Sequence, residues 1–208
     1  MATTLTPNGL QPAYRLGSGS PSVLGFSLYK IYNGETYAIF NGDPVKFIAS
    51  STGRGHVQTM NTTLTATTVT SSGVCLGVFG GCQYTDPVSG KWLQRHYYPG
   101  AITSAADDIY AMVYDDPDLV FKIQADGAVP ATAMGTNASI IQTAVGSTAT
   151  GNSGKALQAS SIATTSTLPL RIVGFVNDGR NSVNDTYTNC YVRLNTHFHR
   201  QATGVAAS

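Results

Sequence analysis

The string Gly151-Asn152-Ser153-Gly154 has the clearest potential for covalent chemistry in this chain. Glycines beside a serine let backbone N–H groups turn toward a developing oxyanion. A histidine base backed by a carboxylate would activate the hydroxyl. His56 and Asp107 or Asp108 precede Ser153, in the order His, Asp, Ser. Metal chemistry has two possible sources. His197 and His199 stand two apart, hence on one face of a strand, and Asp115, Asp116 and Asp118 surround Pro117. Two histidines need a third ligand and outer hydrogen bonds to orient them, and acidic turns hold calcium only where several oxygens converge. No calcium-loop spacing is present, so solvated strand-edge histidines and an Asp-Asp-Pro-Asp turn are expected. Cys75, Cys82 and Cys190 are odd in number and match no zinc or redox spacing. They read as buried or free thiols in a reducing cytosol. These patterns assign no metal, no cofactor and no catalytic residue.

The loop at Ser153 and the His-Asp-Ser order resemble trypsin-like serine proteases, which would share an all-β fold class. The surroundings depart from that pattern. Gly53-Arg54-Gly55 before His56 is not the buried strand and small-residue turn with which the family holds its base. Lys155-Ala156-Leu157-Gln158 after Gly154 reads as a short helical run, where the family returns into an apolar strand. A chain this rich in Ser and Gly produces such a string readily, so a loop turn is expected and an enzyme is not. Aromatic residues form another group: Tyr29, Tyr32, Tyr37, Tyr84, Trp92, Tyr97 and Tyr98. Their faces suit a sugar platform, and core or interface packing accounts for them equally well.

Composition bounds what such residues serve. Of 208 residues, 42% are apolar and only 11% charged, with a net charge of +1. Soluble proteins carry about 25% charge. Disorder combines low hydrophobicity with high net charge, so this chain is expected to fold. Glu35 is the only glutamate, which leaves little material for exposed helix faces. The 12 lysines and arginines form no run, so neither nucleic acid nor an anionic membrane surface is an expected partner. The opening Met1-Ala2-Thr3-Thr4-Leu5 lacks a basic region followed by an apolar one, and no secretory signal is expected. No apolar run approaches the roughly 20 residues that span a bilayer.

The elements that must position these residues read as strands. Residues 1–27 are rich in Pro and Gly and suggest an extended N-terminal arm, with a single β-rich domain over 28–208. Asn33-Gly34 predicts a hairpin between Leu28–Tyr32 and Thr36–Phe40, and Asn41-Gly42-Asp43-Pro44 a turn before Val45–Ile48. Further strands are expected at 74–84, 91–98, 109–114, 119–124, 168–176 and 190–198. Residues 50–72 and 128–167 are Ser/Thr/Gly-rich excursions, the second with one short helix near 155–159. The expected fold is all-β, a compact β-barrel or jelly-roll-like sandwich of about eight strands.

Separated islands carry a family likeness. They are Leu28-Tyr29-Lys30-Ile31-Tyr32-Asn33-Gly34, Ile39-Phe40-Asn41-Gly42-Asp43-Pro44-Val45, Leu76-Gly77-Val78-Phe79-Gly80-Gly81 with Tyr84, and Asp115-Asp116-Pro117 with Phe121-Lys122-Ile123-Gln124-Ala125. A tail ending Val192-Arg193-Leu194-Asn195-Thr196-His197 completes the set. Together, across roughly residues 28 to 198, they resemble the head-decoration, or cement, proteins of tailed bacteriophages. The resemblance implies a virion structural protein, made in the bacterial host cytoplasm, that binds the outer capsid surface. It would bridge subunits of the major capsid protein as a homo-oligomer, a dimer or trimer. The arm and the two Ser/Thr/Gly stretches are the expected capsid contacts. A head-fibre or host-surface carbohydrate-binding role is the alternative.

Overall fold

The computed structural model describes residues 4–17, 25–32, 34–48, 55–60, 68–69, 74–102, 109–179 and 181–200. The strands of the first half are β1 (Gln11–Arg15), β2 (Ser27–Lys30), β3 (Ile39–Phe40), β4 (Pro44–Phe47), β5 (Val57–Thr59), β6 (Thr68–Val69), β7 (Gly77–Thr85), β8 (Trp92–Arg95) and β9 (Tyr97–Tyr98). Those of the second half are β10 (Tyr110–Tyr114), β11 (Leu119–Gln124), β12 (Asn137–Gln142), β13 (Lys155–Ala163), β14 (Leu170–Phe175) and β15 (Asn189–Leu194). Single 3-10 turns lie at Ala131–Ala133 and Phe198–Arg200. The fold is all-β, as the sequence predicts.

The strands form two main antiparallel sheets. One runs β1-β11-β15-β14-β12-β13 with β6 added to β12; the other runs β2-β10-β7-β4-β5 with β8 added to β7. A short β3–β9 pair stands beside them. Among the described residues a parallel bridge links β13 back to the end of β11 in the first sheet, and another links β5 back to the end of β2 in the second. These are Ala125 to Leu157 in the first sheet and Ile31 to Val57 in the second. Neither ladder closes, so of the two expected architectures the sandwich-like one fits and the barrel does not.

Alternation explains part of the core, while β7, β10 and the start of β11 are buried on both faces. In β11, Leu119, Phe121 and Ile123 are buried, and Phe121 stands opposite Val192, which faces Ile172. Full burial of one such side chain stabilises the fold by about 1.5–3 kcal/mol. A second cluster, around Phe79, Leu76, Val45, Ile39 and Tyr98, fills the other sheet. Met60, Cys75 and Val78 reach from that side into the first cluster, so the two cores meet.

Several sequence expectations change. Residues 155–159 are the start of β13 rather than a helix, with Ile140 opposite Leu157 and Ile141 opposite Ala156. The stretch 128–167 therefore contains a packed hairpin. Small residues such as Ala138, Ser139 and Ala156 fill core positions there, and this hides the alternation. The Asn33-Gly34 hairpin does not form: β2 pairs with β10 and β3 with β9. Glu35 is buried instead, its carboxylate accepting the Tyr37 and Thr59 N–H groups, which ties the segment after Gly34 to β5. Residues 5–17 do not extend away as an arm. β1 is an edge strand on β11, Leu10 is 1% exposed, and the rest of the arm call (1–3 and 18–24) lies outside the described residues. Most of the other excursion, residues 50–72, also falls outside them, although β6 pairs with β12.

Candidate functional site

Ser153 sits in a buried polar cluster where the two sheets join. The turn Asn41-Gly42-Asp43 folds back so that the Phe40 N–H donates to Asp43 Oδ2 at 2.9 Å. Asp43 Oδ1 accepts the Ser153 hydroxyl at 2.5 Å and the Lys155 ammonium at 2.7 Å. Ser153 Oγ in turn accepts the Lys155 backbone N–H at 3.1 Å. All three residues are buried, with Ser153 1%, Asp43 2% and Lys155 3% exposed. Glycine conformations permit this closeness. Gly42 (φ +92°) and Gly9 (φ +68°) bring two backbones together, and a side chain on Gly9 would lie 2.6 Å from both Gly42 O and Ser153 Cβ.

This arrangement ties the two sheets together and, among the described residues, gives Ser153 no histidine partner. Its proton is directed at a carboxylate already engaged by an ammonium, and Lys155 is held as an ion pair. A cavity of about 170 Å³ abuts the loop, lined by Pro7, Asn8, Ala144, Ser147 and Asn152 as well as Ser153. The protease-like order is not assembled among the described residues: no hydrogen bond joins His56 to Ser153, and Asp107 and Asp108 lie outside them. The strand expected after such a nucleophile is nevertheless present as β13.

The histidine and aspartate candidates do converge, as a strap. β15 ends at Leu194, so His197 and His199 do not share a strand face. His197 is fully buried beside Cys75, contrary to the expected solvated edge. Burial, with His199 adding, pushes its pKa down to about 4. Its Nδ1 accepts the His199 N–H, and its buried Nε2 has no partner. Asp115 accepts the Tyr29 hydroxyl at 2.6 Å and lies 3.7 Å from His199 Nε2. Asp116 pairs with Arg15 at 2.8 Å, and Asp118 with Arg200. The Asp-Asp-Pro-Asp turn is thus a turn, as expected, whose carboxylates fasten the first strand and the last described residues. Among the described residues no group of three or more His, Cys, Asp or Glu is arranged to hold a metal ion. Cys75, Cys82 and Cys190 are free and buried, and burial pushes each thiol up to about 12.

The aromatic candidates disperse. Tyr84 and Tyr98 belong to the core, Tyr29 packs edge-on to Phe47, and Tyr97 stacks on Phe40 at 5.5 Å. Trp92 alone stands out, 62% exposed, near the tip of the β7–β8 hairpin where Val88 is 93% exposed. Asp86 stiffens that tip. Its carboxylate accepts the Ser89 hydroxyl at 2.5 Å and the Ser89 and Val88 N–H groups, and the Asp86 N–H reaches Lys91 O at 2.8 Å. The Ser89 hydrogen bond holds Asp86 below its usual carboxylate range. Among the described residues β8 pairs only with β7, which leaves its other edge open. The sequence signals this hairpin through Thr85-Asp86-Pro87-Val88-Ser89-Gly90 but not its exposure.

Compared with family models, with curated proteins and with solved structures, the chain matches none.

Proposed function

We propose that this protein is a capsid-decoration protein of a tailed bacteriophage, docking on the outside of the head lattice as a dimer or trimer. The β7–β8 hairpin carries the reading. It offers a stiff tip with two exposed apolar side chains and an open strand edge, features that suit contact with another protein. An open strand edge can accept a further strand, and a capsid subunit would supply it. The low charge fits a partner recognised by shape and backbone hydrogen bonding, with little electrostatic steering. Repetition over many lattice sites lets an oligomer hold firmly with modest affinity per contact. The hairpin replaces the arm as the principal contact, because Leu10 and β1 are committed to the protein's own sheet.

The test is co-sedimentation with expanded capsids of the major capsid protein. The expected result is saturation at a fixed ratio, weakened at least tenfold by Val88→Ser with Trp92→Ser. Absence of saturable binding by the full chain would overturn the proposal.

A further inference from the structure

The outer face of the first sheet carries two tyrosine rings beside a lysine that the described residues leave unpaired. On β15, Cys190, Val192 and Leu194 are buried, so Tyr191 and Arg193 point the other way. Tyr191 stands opposite Lys122 on one side and Gly174 on the other, and Lys122 stands opposite Gln11. Two β-bulges shape this face. The register shift between Pro12 and Tyr14 brings Tyr14 onto it, where its ring meets Tyr191 edge-on at 5.4 Å. The shift between Ile172 and Gly174 places a glycine beside the Tyr191 ring, with Cδ2 3.6 Å from where a Cβ would be. Bulges commonly re-aim side chains next to binding sites.

The charges on this face are poorly matched within the protein. Arg171 and Arg193 face each other directly across two strands, an arrangement that costs stability. Arg193 Nε is buried without a partner, while its Nη2 donates to Pro117 O at 3.2 Å and lies 3.5 Å from Asp118, a carboxylate shared with Arg200; Arg171 Nε donates to the neutral Asn137 Oδ1 at 3.1 Å. Lys122 has no ion pair or hydrogen bond among the described residues, nor do the Tyr14 and Tyr191 hydroxyls. Beside Lys122 a groove of about 180 Å³ opens, lined by Thr6, Asn8, Gln11, Gln124 and Asn189. Two aromatic faces with free hydroxyls and two cations outside any ion pair, Lys122 and Arg171, match a ligand with apolar ring faces, hydroxyls and negative charge.

We infer that this face, centred on Tyr191 and Lys122, binds an acidic saccharide, a chain whose sugars carry carboxylates. The tyrosines supply the surface on which a sugar ring lies, and Gly174 keeps the space beside Tyr191 clear. The Tyr14 and Tyr191 hydroxyls hydrogen-bond sugar hydroxyls, while Lys122 and Arg171, neither of them in an ion pair, receive carboxylates. The site is separate from the β7–β8 hairpin and stands or falls independently of capsid binding.

The test is titration calorimetry of the full chain with a galacturonate oligosaccharide, a neutral gluco-oligosaccharide of equal length and a sugar phosphate. The expected result is binding of the uronate chain at least tenfold tighter than the neutral one, weakening as salt rises. Lys122→Gln should lower affinity about tenfold or more, the loss expected for a charge-assisted hydrogen bond, and Tyr191→Ala should lower it by about tenfold through lost ring contact. Their unfolding midpoints, with Arg171→Gln as a second surface variant, establish that the fold is intact. Equal affinity for neutral and acidic chains, tighter binding of the sugar phosphate, no binding at all, or Lys122→Gln and Arg171→Gln variants that bind like the parent would overturn the inference.

Discussion

Replacing Lys155 with methionine removes the ammonium from the inter-sheet lock while keeping most of the side chain's volume. Asp43 then remains 2% exposed with its charge answered only by the Ser153 hydroxyl and the Phe40 N–H. Breaking a buried ion pair from one side costs about 3–5 kcal/mol, because the survivor is an uncompensated buried charge. A domain of this size has a total stability of about 5–15 kcal/mol, so the loss is a large share. At about 2–4 °C per kcal/mol, the unfolding midpoint should fall by about 6–20 °C. The double variant Asp43→Asn with Lys155→Met leaves no unpaired charge and should recover much of the loss. Urea unfolding of the parent, both single variants and the double variant measures this directly. A Lys155→Met loss below about 1 kcal/mol is the range of a solvent-exposed pair and would refute the assignment of this cluster as a buried lock.

Other consequences follow from the same geometry. Gly9→Ala places a Cβ 2.6 Å from Gly42 O at φ +68° and should cost about 1–3 kcal/mol in urea unfolding, whereas the exposed turn glycine Gly90, also at positive φ, has open space around it and should cost less. His197 is held below its ordinary value, so the unfolded chain binds its proton first. The stability from neutral His197 is complete above about pH 6.5 and is lost as pH falls toward about 4, by at most about 3 kcal/mol. A His197→Asn variant should show a flatter stability profile across that window, and an unchanged slope would contradict the reading. Glu35 acts in the opposite sense. Burial raises its pKa, so its contribution is present below the ordinary carboxylate value and declines as pH rises above it. Glu35→Gln should reduce that decline in thermal unfolding followed from acid to neutral pH. Capsid binding through an apolar tip should change less than about threefold between low and physiological salt in a sedimentation series.

The fold class was legible because several strands carry an alternating apolar set, even where the opposite face is buried as well, as at Val120 in β11. Leu119, Phe121 and Ile123, and likewise Val192 and Leu194, face the core as their spacing predicts. The hairpin of β12 and β13 was not legible, because alanine and serine occupy buried positions and give no hydrophobic period. Asn33-Gly34 misled for a different reason: the Glu35 N–H does reach Tyr32 O across it, but the flanking strands take long-range partners, β2 with β10 and β3 with β9. Ser153 drew attention for its glycine neighbours, but its partner Asp43 stands 110 residues away, in a turn recognised only as a turn. Tyr14 and Tyr191 were invisible as a pair, since two bulges and a long-range strand pairing bring them together. Sequence spacing cannot carry such information.

The central claim, attachment to the capsid exterior through the β7–β8 hairpin, is tested most directly by cryo-electron microscopy of expanded capsids incubated with the full chain. The account predicts added density at symmetry-equivalent sites on the outer surface, with the Val88–Trp92 tip turned toward the major capsid protein. Bare capsids under saturating protein, or bound density with that tip facing solvent, would contradict it.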